Sequence, residues 1–232
     1  MKLYSYIVAR DFGFAPNPFH GFCTLATCKP KIRAGASLGD WIIGTGAKSR
    51  YDLGGHLVYA MQVAEVLSFD AYWKDPRFMA KRPVLNGSLK LLYGDNIYRR
   101  VGKRWVQVDS HHSLENGRPN KANIEWDTGV DRLLVATKFV YWGASAPTIP
   151  KRFRPFRRTG DDVCCKARGH RVFADELAAA FSGWLESQDK WGVRGEPLEF
   201  AKHERVTKHL ANGTPSQSAR PARQRPGRRS AR

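Results

Sequence analysis

The chain is poor in acid. Its 232 residues hold 21 Asp and Glu against 39 Lys and Arg, a net charge of +18 with a pI near 10.1. Such an imbalance disfavours cationic partners and favours a polyanion, most simply nucleic acid. Long apolar runs are missing as well. No stretch is long and apolar enough to span a bilayer, and the apolar segment 3–9 runs straight into Arg10-Asp11, too short for a secretory signal. Cysteine is scarce, at four residues. They do not form a secreted disulfide framework, so the expectation is a cytoplasmic protein without a membrane anchor. Neither a P-loop nor a glycine-rich dinucleotide fingerprint occurs, and no sequence repeat is present.

The positive charge is unevenly spread. Residues 213–232 carry six Arg, no acid and no aromatic or large aliphatic side chain, so they cannot offset the entropy of ordering. The reading is a single domain over 1–205 and a disordered Arg-rich tail over 206–232. The body keeps twelve of the eighteen excess charges up to residue 212. A second cluster, KRFRPFRR at 151–158, alternates Phe with Arg, which suits phosphate contact beside base or sugar stacking.

Strand signals dominate the first two thirds. Segments 3–9, 22–27, 41–44 and 104–108 read as strands, and the apolar runs 57–67 and 133–142 each read as one long strand. Ser68 is placed to cap a short helix over 69–74 that Pro76 ends. Phe173, Leu177, Ala180, Phe181 and Trp184 recur at helical spacing, with Asp175 and Glu176 in the first turn. The expected fold is therefore α+β: a curled mixed β-sheet or pseudo-barrel with a C-terminal amphipathic helix. No crossover helix separates the early strands, which argues against a doubly wound parallel sheet.

Three constellations invite chemistry. The loop 10–30 holds Phe12, Phe14, Phe19 and Phe22 beside Asn17, His20, Thr24 and Lys29, the mixture of rings and hydrogen-bonding groups that a flat polar ligand requires. Packing of these rings into a core is the alternative. The motif DSHHS (109–113) follows a strand. If that strand continues, Asp109 and His111 share a face and His112 takes the other, so Asp109 would orient His111 as a general base. A polar turn is the alternative there. Lys166, Arg168 and His170, just ahead of the late helix, suit a phosphate seat. Cys23, Cys28, Cys164 and Cys165 lack zinc-knuckle spacing, even with His20, His111, His112 and His170 at hand, and read as buried thiols. Neither a metal nor a cofactor is expected.

FHGFCTLATCKPKIR (19–33), GDWIIGTG (39–46), GDNIY (94–98), DSHHS, DRLLVATKFVYWG (131–143) and RGHRVF (168–173) together resemble the second type of nucleotide-modification-associated domain, over roughly residues 1–200. That family is small, bacterial or phage-borne, and linked to DNA-base modification through the enzymes that accompany it. The layout is also similar, more loosely, to EVE, ASCH and PUA-like domains, whose curled sheets bind RNA or an extruded modified base. These resemblances imply a module that recognises a modified nucleobase in a DNA-modification or phage-defence setting. Phe12, Phe19 or Trp41 would stack on the base. Asn17, His20, Thr24 or Lys29 would read its edge, and Asp109 and His111 would close the pocket. Arg152, Arg154, Arg157, Arg158, Lys166, Arg168 and His170 would hold phosphates. DNA ranks ahead of RNA as the partner, with base-modifying enzymes beside it. The alternatives are an enzyme of nucleotide or base modification that uses Asp109 and His111, with His112 beside them, and a scaffold in a modification complex.

Overall fold

A computed structural model describes residues 1–174 and 176–202. The sequence reading of Asp175 and that of the 206–232 tail lie outside the described residues. Residues Met1–Phe200 form one unit.

The main sheet is mixed. Its neighbours in space are His170–Phe173 (β10), Leu3–Val8 (β1), Trp41–Gly46 (β3), Leu57–Gln62 (β4), Phe139–Tyr141 (β9) and Gly192–Val193 (β11). β1 and β3 run parallel, as do β9 and β11, and every other pair is antiparallel. The parallel β1–β3 connection needs no long helix. It passes through the 9–22 loop, a short strand Cys23–Leu25 (β2) and a helix of one and a half turns, Pro30–Gly35 (α1). A second sheet sets β2 beside Leu133–Ala136 (β8) and Glu65–Leu67 (β5). A separate ribbon pairs Tyr98–Val101 (β6) with Arg104–Gln107 (β7). The expected mixed sheet and α+β class are present. The pseudo-barrel is not, because β10 and β11 are unjoined edges of an open sheet.

Alternation sorts side chains into layers. From the main sheet, Leu3, Trp41, Ile43, Ala60 and Val140 face Glu176–Ser187 (α6). Tyr4, Tyr6, Ile42, Tyr59, Met61 and Tyr141 face the second sheet, meeting Cys23, Leu25, Leu134 and Ala136. The far side of the second sheet gives Leu133 and Val135 to a ring-rich cluster with Phe12, Phe14, Phe19, Phe69, Tyr72, Phe78 and Tyr93. The second sheet is thus covered on both faces.

That double covering corrects two strand boundaries. The run 57–67 is not one strand but β4 and β5, which lie in different sheets, and 133–142 is likewise β8 and β9. At the first break Val63 N–H bonds the Asp40 carbonyl and Ala64 N–H bonds the Val135 carbonyl, so the chain changes partner between consecutive residues. Apolar residues on both faces hide such a corner from any periodicity.

The remaining helices are short: Lys48–Tyr51 (α2), Phe69–Lys74 (α3), Leu89–Leu92 (α4) and Lys121–Thr128 (α5). Ser68 caps α3 as its sequence implies, its Oγ accepting from Ala71 N–H at 3.2 Å. Phe173, expected on the late helix, belongs to β10, and α6 starts at Glu176. Leu177, Phe181 and Leu185 form its buried stripe. None of the helices among the described residues is long and apolar enough to cross a membrane.

Candidate functional site

β2 ends at Leu25, and Pro30, at the first helical turn, marks where α1 begins. Cys28 occupies the turn between them. Its φ is 57°, and that of Lys29 is 42°, in the left-handed region that non-glycine residues seldom enter. Such a turn lifts the side chain out of the strand and aims it away from the backbone. Cys28 is half-buried, unlike the fully buried Cys23.

Opposite Cys28 stands His112. β7 stops at Gln107, and 109–113 is a turn closed by bonds between Ser110 and Ser113. The continued strand that would align Asp109 with His111 is absent. The turn instead drives His112 inward, leaving it 5% exposed. Its Nε2 lies 3.7 Å from Cys28 Sγ, and its Nδ1 lies 2.8 Å from Asp127 Oδ2. Asp127 comes from α5, the helix that Asn120 caps by accepting from Asn123 N–H. Tyr98 O–H also donates to Asp127 Oδ2, at 2.8 Å, and Gln107 Nε2 donates to the Tyr98 hydroxyl and the His112 carbonyl. Sulfur, imidazole and carboxylate therefore stand in line, each held from behind.

Burial works against a charge on His112. The hydrogen bonds to Asp127 and Cys28 outweigh it and raise the imidazole to about 9. The direction favours the charged ring, whose Nε2 side is toward sulfur. Both ring nitrogens are engaged, Nδ1 by the carboxylate and Nε2 by sulfur. Among the described residues no group of three His, Cys, Asp or Glu is placed to hold a metal.

Arg33, wholly buried, frames the line from below. It donates to the carbonyls of Cys28, Asp127, Val130 and Arg132. Lys29 sets its Nζ 4.4 Å over the Tyr6 ring, and burial lowers its pKa.

The other residues singled out from sequence are dispersed. Phe12 lies against Tyr93 at 5.0 Å and His111 at 4.5 Å; Phe14 packs on His111 at 5.2 Å and His112 at 4.7 Å. Phe19 stacks on Phe200. All three Phe rings are buried. Asn17 pairs its backbone with Thr24, and its side chain serves Tyr93, Phe19 and Lys81. Thr24 Oγ1 donates to buried Asp95 at 2.6 Å. His20 is exposed on the rim. Trp41 is in the core beside Trp191, on the α6 face of the main sheet, away from the loop.

In the 151–158 cluster, Phe153 is buried against Phe181 and Trp184. Arg154 pairs with Asp162 and Arg158 with Glu176, while Arg152 and Arg157 are exposed. Lys166 and Arg168 are exposed, and His170 lies beside Tyr4.

From sequence, Cys28 reads as a buried thiol, and Asp127, Tyr98 and Arg33 are given no role. Cys28 is 84 residues from His112 and 99 from Asp127, so no spacing links them. The available signal was local: a cysteine between a strand and a proline-started helix.

A family described as nucleotide modification associated domain 2 matches residues 1–204, so the chain belongs to that family. No curated protein and no solved structure matches.

Proposed function

We propose, from that membership and this geometry, that the chain is a cysteine-dependent enzyme of nucleotide or nucleobase modification. The observation that carries the reading is the Cys28–His112–Asp127 line, with contacts of 3.7 and 2.8 Å. Cys28 is the nucleophile. His112 moves the proton, and Asp127 orients the ring and sustains its charge. An imidazolium beside sulfur is how proteins activate a thiol for attack.

The chemistry fits a double displacement. Sulfur forms a bond to an electrophilic carbon of the substrate while the thiol proton resides on His112 Nε2. That proton then passes to the departing nitrogen or oxygen as its bond to carbon breaks. A second nucleophile, water in the simplest case, gives its proton to Nε2, bonds to the same carbon and releases sulfur.

A reader of modified bases is the competing reading. The ring-rich surroundings of His111 favour it. Against it, Phe12, Phe14 and Phe19 are already buried against Tyr93, His111, His112 and Phe200, and Asn17 and Thr24 direct their polar groups inward. The deciding measurement is alkylation by iodoacetamide at neutral pH, mapped by peptide mass. Cys28 should react faster than the other three cysteines, and His112→Asn should slow it about 100-fold or more. Slow, His112-independent labelling, with selective binding of a modified oligonucleotide kept in Cys28→Ser, would establish the reader instead.

A further inference from the structure

The β6–β7 ribbon belongs to neither large sheet. Its inner end serves the site: Tyr98 bonds Asp127, and Gln107, registered opposite Tyr98, bonds the His112 carbonyl. Its free end carries Arg99, Arg100, Lys103 and Arg104 around a glycine turn at Gly102, φ 59°. Among the described residues Arg99, Lys103 and Arg104 enter no ion pair. The carboxylates that face the ribbon are Asp70, which accepts from Arg100 N–H, and Asp131, 3.8 Å from the Arg100 guanidinium. Cations outnumber acids there, whereas Arg154 and Arg158 of the 151–158 cluster are neutralised by neighbours.

Rings accompany the charge. Trp73 of α3 has the Arg82 guanidinium at 3.9 Å and that of Arg99 at 5.5 Å. Trp105 carries Arg100 at 4.1 Å, its cross-strand partner. Trp126 is 61% exposed on α5, one residue before Asp127. An indole left that bare, next to a buried carboxylate of the site, costs apolar hydration and returns no packing.

We propose that the β6–β7 ribbon and the neighbouring face of α3 bind a nucleic-acid strand, with the arginines on its phosphates and Trp126 as a platform for a base. Arginine with stacked indole is the combination that single strands require, since phosphates supply charge and every base has a face to stack. The three residues from Arg104 to Gln107 span about 10 Å of extended chain. A strand gripped at the tip therefore lies within reach of the inner end, which bonds Asp127 and His112. That this strand is the substrate of Cys28, in place of a free nucleotide, rests on the enzyme reading above; the interface does not.

The test is fluorescence anisotropy of the full chain with a labelled single-stranded DNA, its duplex and its RNA counterpart, across a salt series. Replacing Arg99, Arg100, Lys103 and Arg104 together by Gln should lower the slope of log K against log salt by about 3. Trp126→Ala should weaken binding about tenfold with the slope kept. A four-Gln chain that binds as the parent does, while Arg152→Gln/Arg157→Gln loses affinity, would overturn the proposal. So would a free nucleoside monophosphate binding the parent as tightly as the strand. Cys28 alkylation, run on the same variants, separates the two readings: rapid labelling with unchanged strand binding sinks the interface alone, and slow labelling with lost binding sinks the enzyme alone.

Discussion

The backbone N–H of Cys28 lies 2.7 Å from Asp127 Oδ1, while the other oxygen of the same carboxylate holds His112. One side chain thus fixes both the turn that carries the sulfur and the ring that faces it. Asp127→Asn keeps the shape and removes the charge that sustains the imidazolium. The His112 pKa should fall well below about 9, because Cys28 alone is then left to oppose burial. Histidine NMR titration reads this directly, and a ring still charged at pH 8 would refute it.

Arg33 links the same two residues through their carbonyls. Arg33→Met leaves four carbonyl partners without their donor and should cost about 3 kcal/mol in urea denaturation. Arg33→Lys restores charge but not the fork, and should recover part of the loss. As a positioning residue, Arg33 should also matter where the variant is fully folded: Cys28 alkylation should slow and its pH profile should shift. Unchanged labelling in the folded Lys variant would reduce Arg33 to a structural role.

Stability should depend on pH through two buried groups of opposite sign. His112 is raised from 6.5 to about 9, so its contribution is complete below pH 6.5 and fades as pH rises through 9. Lys81, whose Nζ is enclosed by the carbonyls of Asn17 and Phe22 and by Asn17 Oδ1, is lowered from 10.5 to about 8. Its penalty is complete below pH 8 and lifts as pH climbs toward 10.5. From this pair the parent should lose stability between pH 6.5 and 8, where His112 alone of the two is changing, and the pair's sum should level off between 8 and 9. Each full shift corresponds to roughly 3 kcal/mol. In His112→Asn the early decline should vanish; a decline that survives would assign it elsewhere.

Gly44 is paired across strands with Tyr59. A Cβ there would come 2.4 Å from Tyr59 Cε1 and 2.5 Å from Val8 Cγ2. Gly44→Ala should cost about 1–3 kcal/mol by overpacking. The Tyr59–Tyr6 hydroxyl bond depends on that ring position, so the loss should appear with a changed near-ultraviolet signal of tyrosine. Parent-like melting would show that the ring has room to shift.

The sequence was legible where one physical cause acted alone. Ser68 as the cap of α3, and Leu177 and Phe181 on the buried face of α6, each behaved as their local chemistry dictates. The corners at 63–64 and 137–138 were illegible because both sides of the second sheet are dry, and a strand that is apolar throughout carries no phase. α5 was missed because its apolar face is narrow: Ile124 and the buried Asp127 and Thr128 turn inward while Trp126 stays out. The site suffered most. His112 takes its carboxylate from α5, 15 residues further along the chain, a pairing that no local spacing announces.

The two corners carry a mechanical consequence. β4 and β5 are successive in the chain yet belong to different sheets, and so do β8 and β9. The two crossings act as rivets through stacked plates. Neither plate can peel from the other without breaking backbone bonds on both sides of a crossing, those of Gln62 to Lys138 and Ala64 to Val135 among them. The sheets should therefore exchange their innermost amides at one common free energy, as a single cooperative block. Cys28 follows three residues after β2 leaves that block, so its unusual backbone angle is anchored on one side to the riveted sheets.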